Sequence, residues 1–135
     1  MLIKNSEPIR FVSGGMQMVR VINNQGVPVL ELEISEKIRK EDYEKIRPAL
    51  EDKVDKFGEV NILIRMQEFP NFTLGALLED LKLAVKNYSH MSKVAIVGND
   101  DKLKHTTKLD KVFPGVEMKT FENRELDDAW HWLKT

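Results

Sequence analysis

Apolar and polar positions repeat at two different periods along this chain, and each change of period marks an element. Over residues 16–22, Met18, Val19, Val21 and Ile22 read as a strand. Asn23-Asn24-Gln25-Gly26 then supplies residues that tolerate positive φ, after which Glu31 and Glu33 alternate with Leu30, Leu32 and Ile34. The two runs predict a hairpin with one wet face. The period next lengthens to that of a helix. Tyr43, Ile46, Leu50, Val54 and Phe57 form one stripe over residues 39–57, and Gly58 is placed to end it. Pro48 lies within that stripe and removes a backbone hydrogen bond, which predicts a kink or a break into two short helices.

The middle of the chain carries the strongest signal. Residues 60–66 (VNILIRM) and 93–98 (KVAIVG) are almost continuous apolar runs, as central parallel strands covered on both faces require. Between them come QEFPNFT and a helix whose main stripe is Leu74, Leu77, Leu78, Leu81, Ala84, Val85 and Tyr88. That connection is long enough for a right-handed crossover. Leu83 points away from the stripe, among Glu79, Lys86 and Asn87. A further helix is expected over residues 99–113, ended by Pro114-Gly115, and an edge strand over 116–121. Asn123 is placed to cap a last helix that buries Leu126, Ala129, Trp130 and Leu133. Trp132 falls at the margin of that stripe, where it covers the sheet edge or meets another subunit. The order is β-β-α-β-α-β-α-β-α, one α/β domain over residues 16–135. Residues 1–15 read as an arm or extra strand, set apart by Pro8 and Ser13-Gly14-Gly15.

Composition narrows the classes of partner. At 135 residues the chain can bury a core without a disulfide or metal staple. Lys plus Arg is 21 against 22 for Asp plus Glu, a formal charge of -1, which argues against a nucleic-acid partner and a polybasic anchor. The absence of cysteine excludes disulfides, thiolate catalysis and cysteine-ligated metals. The opening MLIKNSEPIRFV lacks the apolar segment of a signal peptide, and no run approaches the roughly 20 apolar residues that span a bilayer. The expectation is a cytoplasmic protein with no transmembrane segment.

Candidate chemistry clusters after the central strands, where ligands of open α/β sheets bind. Thr73 stands where a helix begins, so its hydroxyl is placed to cap that helix, and a phosphate on or beside it would be stabilised there. Phe69 and Phe72 bracket Pro70 in the same loop, either as packing residues or as the mouth of an apolar pocket. Asn99-Asp100-Asp101 could hold Mg²⁺, but residues 60–66 are followed by Gln67 and Glu68 rather than a matching Asp, and helix capping accounts for them better. Lys104, Lys108 and Lys111, with His105 nearby and Asp110 among them, read as a solvated face. His90, His105 and His131 have no metal-ligand spacing. No metal site, cofactor or catalytic set is predicted.

A family resemblance accompanies this pattern. EDYEKIRPALEDKV, NILIRMQEFPNFTLGALLEDLKLAVKN, KVAIVGND and TFENRELDDAWHWL together resemble the SpoIIAA-like proteins of the STAS superfamily, over roughly residues 16–134. The resemblance implies a single mixed sheet of about five strands flanked by about four helices, related to anti-sigma-factor antagonists and to CRAL-TRIO-type lipid-transfer domains. It also implies a hydrophobic or lipid-like ligand. In the sporulation regulators of that superfamily a D-S-S-G motif opens the helix after a central strand, and its second Ser is phosphorylated. Asn71-Phe72-Thr73-Leu74 occupies that place here. Thr73 keeps a hydroxyl, whereas the Asp, the first Ser and the adjacent Gly are absent and Gly75 comes one position late.

The sequence therefore predicts a non-enzymatic binding domain that holds a hydrophobic small molecule or lipid near Phe69, Phe72, Thr73 and Leu77. The alternative is a regulatory interaction domain, switched by phosphorylation of Thr73 or working as a homodimer.

Overall fold

The computed structural model describes residues 19–34, 40–66, 74–84, 88–98 and 113–135. They form β1 (Val19–Asn23), β2 (Val29–Ile34), α1 (Lys40–Phe57), β3 (Val60–Met66), α2 (Leu74–Ala84), β4 (Met91–Gly98), β5 (Glu117–Glu122) and α3 (Leu126–Lys134). Short 3₁₀ turns over Tyr88–His90 and Asn123–Glu125 lead into β4 and α3. One five-stranded sheet runs in the order β1-β2-β3-β4-β5. β1 pairs antiparallel with β2, and every later neighbour is parallel. The sheet is mixed, as expected. Three α-helices are described; the fourth expected helix, over residues 99–113, falls outside the described residues apart from Phe113.

Strand alternation divides the core in two. Leu30, Leu32 and Ile34 of β2, Ile62 and Ile64 of β3, and Val94 and Ile96 of β4 face Ile46 and Leu50 of α1 and Leu78 and Leu81 of α2. On the other face Val29, Leu63, Ala95, Val97 and Phe121 meet Ala129 and Leu133 of α3. Having cover on both faces is why β3 and β4 read as continuous apolar runs. Each fully buried aliphatic side chain contributes about 1.5–3 kcal/mol of transfer free energy.

Four local expectations are corrected. First, of the kink or break expected at Pro48, the break does not occur: α1 is a single helix through Pro48. Pro48 and Glu44, whose carbonyl loses its donor, are both exposed, so water can solvate that carbonyl. Second, the buried side of α1 includes Asp42 and Lys53 beside Ile46 and Leu50, while Phe57 is 38% exposed. Third, the hairpin has no wet face at Glu31, which is 6% exposed. Fourth, the 3₁₀ turn before α3 starts from Glu122 instead of being capped by Asn123: Glu125 Oε1 accepts the Glu122 backbone N–H at 2.8 Å.

Candidate functional site

At the carboxyl ends of the strands a charged ladder crosses the sheet. Because Leu30, Leu32 and Ile34 take one face of β2, Glu31 and Glu33 must take the other. The register sets Glu33 between Arg20 of β1 and Arg65 of β3. Arg20 Nη1 donates to Glu33 Oε1 at 3.0 Å. Arg65 Nη1 donates to Glu31 Oε2 at 3.0 Å and lies 3.5 Å from Glu33 Oε2. Asn24 Nδ2 donates to Glu31 Oε1 at 3.0 Å. Burying Glu31 is tolerable because both its oxygens have donors. Arg20 Nε, in contrast, is buried without a hydrogen-bond partner.

Arg65 also walls a cleft of about 220 Å³, together with Met66, Val97, Asn123 and Leu126. Strand order never reverses across the sheet, so this is not a topological switch point. The cleft opens where the segment from Asn123 into α3 turns back from the strand ends. Met66, Val97 and Leu126 are its apolar members, and among the described residues Arg65 is the one charged side chain in the lining. Only Nη1 of Arg65 is engaged by the glutamates; among the described residues Nε and Nη2 have no partner.

A second cleft, of about 280 Å³, lies at the opposite ends of the strands against the last turn of α3. Its central polar groups are already satisfied. Asn61 Nδ2 donates to the Leu133 carbonyl at 3.2 Å, and its Oδ1 accepts the Ser92 and Lys93 backbone N–H groups at 3.3 and 3.0 Å. Lys93 Nζ donates to the Trp132 carbonyl at 3.0 Å and to Thr135 Oγ1 at 3.2 Å. This end is a clasp for α3, seated where the β3–β4 register shifts between Val60 and Ile62. The smaller cleft differs in having donors of Arg65 without a partner among the described residues.

Lys53 forms a third polar feature. Its ammonium donates to the Asn24 carbonyl and, at 2.6 Å, to the Val27 carbonyl, tying α1 to the β1–β2 turn in which Gly26 takes φ 82°. It also lies 5.4 Å from the Phe57 ring centre. Burial pushes its pKa below the ordinary 10.5, with Asp52 opposing that shift and Lys56 adding to it. Tyr43 moves the other way: burial, then Asp80 and Asp42, raise its pKa above 10.0.

Of the expected site residues, Phe69, Phe72 and Thr73 lie outside the described residues, as do Asp100, Asp101, Lys104, His105, Lys108 and Lys111. Leu77 belongs to α2, but its side chain is outside the description. Leu83 is 66% exposed, as its position off the stripe predicts. Trp132 covers the sheet edge, with its ring centre 6.0 Å from that of Phe121 on β5. Sequence reading missed Arg65 and Asn123 as cleft residues. The available signal was one arginine inside the apolar run VNILIRM; Met66, Val97 and Leu126 are indistinguishable from core by pattern. Among the described residues no three or more His, Asp or Glu side chains are grouped to hold a metal ion, and no helix is long and apolar enough to cross a membrane.

Comparison with known proteins agrees with this architecture. The SpoIIAA-like family model matches residues 29–134. An uncharacterized protein of the DUF3478 family with a SpoIIAA-like fold, from Shewanella loihica PV-4, is 29% identical, with a TM-score of 0.61. The match covers 91% of this chain and 99% of that one. No curated protein matches. With the family model spanning β2 to α3 and the sheet and helices in place, the chain belongs to the SpoIIAA-like family.

Proposed function

We propose that the protein is a binding domain rather than an enzyme, and that a small hydrophobic or lipid-like ligand enters the cleft at the carboxyl ends of β3 and β4. The lining carries this reading: among the described residues Arg65 and Asn123 are its polar side chains, and Leu126 is its more accessible apolar wall, with Met66 and Val97 almost fully buried behind it. Convergent polar groups beside apolar wall are what fix a ligand's orientation in small-molecule sites. Phe69, Phe72 and Thr73, expected from sequence to contact the ligand, follow Met66 in the chain and lie outside the described residues. At about 220 Å³ the cleft is smaller than the roughly 300–1,000 Å³ of sites for drug-sized ligands, so it suits a short chain or one end of a longer one.

Amide chemical-shift mapping with hexanol as an apolar probe tests this. Saturable shifts concentrated at Arg65, Met66, Val97, Asn123 and Leu126 are expected, and a Leu126→Trp variant that fills the cleft should lose them. Scattered or absent shifts overturn the proposal.

A second reading, a regulatory interaction domain, is favoured by Leu83, a large apolar side chain 66% exposed on the helix that Thr73 precedes. Phosphate on Thr73 in protein isolated from its native cells, or a homodimer lost in Leu83→Glu, supports it. A monomer with unmodified Thr73 counts against it.

A further inference from the structure

We propose that the ligand of the carboxyl-end cleft carries a carboxylate and that Arg65 reads it. The inference rests on the binding reading above and adds the chemical class of the ligand. Among the described residues Arg65 is the one charged side chain in the lining, and its guanidinium is divided in use. Nη1 is anchored at 3.0 Å on Glu31, a carboxylate only 6% exposed, with Glu33 at 3.5 Å. That anchor holds one end of the guanidinium. Among the described residues Nε and Nη2 have no partner, although Arg65 is itself about two thirds buried, with a side-chain exposure of 35%. Nε and Nη2 form a flat two-donor edge whose geometry matches a planar carboxylate, bonded through both oxygens. Leu126, the half-buried apolar residue of the lining, then receives the ligand's hydrocarbon, and the Asn123 amide is available to a carboxylate oxygen.

Charge decides for a carboxylate over a phosphate. Arg20 and Arg65 are matched one for one by Glu33 and Glu31 along the ladder, so among the described residues the lining holds no uncompensated cation and offers an anion only the free edge of one paired arginine. A monoanion asks for one fork, whereas a phosphate dianion asks for more positive charge than this cleft contains. The two glutamates also limit the gain. They lie on the far side of the guanidinium and oppose any incoming anion. Discrimination of about tenfold, equivalent to about 1.4 kcal/mol, is therefore expected rather than the larger factors of an unpaired arginine.

Calorimetric titration of the intact protein with hexanoate, hexanamide and hexyl phosphate separates the outcomes. Hexanoate should bind about tenfold more tightly than hexanamide and more tightly than hexyl phosphate. Arg65→Lys keeps a cation for Glu31 but lacks the fork; with its urea midpoint unchanged, it should bring hexanoate down to the level of hexanamide. Equal binding of hexanoate and hexanamide by the native protein overturns the carboxylate assignment and leaves the binding reading standing. Tighter binding of hexyl phosphate overturns it in favour of phosphate esters. If none of the three binds, the assignment and the reading beneath it both fail.

Discussion

Lys53 sits 2% exposed with backbone carbonyls as its hydrogen-bond acceptors, and this sets how the protein responds to alkali. Its folded pKa is lowered, so between that value and 10.5 the unfolded chain holds a proton that the folded chain has lost. Stability due to this group is therefore present above 10.5 and is lost as pH falls through the lowered folded pKa. Tyr43 has the opposite sign. Its raised pKa gives stability that is complete below 10.0 and is lost as pH rises through the folded value. Urea midpoints across this alkaline range should rise and then fall, and Lys53→Met should abolish the rising limb. The same substitution leaves the Asn24 and Val27 carbonyls without a donor and should cost about 1–3 kcal/mol at neutral pH. Asn61→Ala removes three hydrogen bonds, one buried and two part-buried, and should cost a similar ~1–3 kcal/mol by urea unfolding, with amide exchange rising at the end of α3. Neither residue was legible in the sequence. A lysine is excluded from any apolar stripe by its type, and Asn61 is identified only by what lies across the strands.

At the scale of elements, periodicity was a good guide wherever burial was two-sided or followed one stripe. β2, β3, the parallel β4, and Leu78 and Leu81 of α2 all lie where their spacing predicts. The hairpin shows why the rest was hidden. Alternation correctly placed Glu31 and Glu33 on the face opposite Leu30 and Leu32, but the solvent expected there is replaced by Asn24, Arg20 and Arg65. Which residue stands opposite another is a matter of register, and register is a tertiary fact. Pro48 illustrates the reverse case: a strong local rule was softened because the helix exposes the proline to water. Since α1 passes through Pro48 without breaking, Pro48→Ala restores a helix donor without a change of path. It should stabilise the protein by about 1–3 kcal/mol, read from chemical denaturation. An unchanged midpoint would show that the helix has already absorbed the cost.

For the whole molecule, the family and the sheet were legible while the cleft was only half so. A site at the carboxyl ends of the strands follows from parallel topology, but none of the residues expected to form one, Phe69, Phe72, Thr73 and Leu77, is among the described residues that line this cleft. Its lining comes from three distant segments of the chain and depends on where α3 begins its return across the sheet. No single stretch of sequence contains that information.

The strand order has one more consequence, for how the molecule is made. Each strand lies beside the one that precedes it in the chain, so no strand has to be inserted between two already paired. Every addition extends a free edge, and the loops closed at each step stay short compared with a sheet whose middle strands arrive last. Synthesis from the amino end can then lay down the sheet in the order of translation. The hairpin and β3 should gain protection from hydrogen exchange in ribosome-held chains before β5 has emerged. The last strand and α3 would lock an assembly already under way.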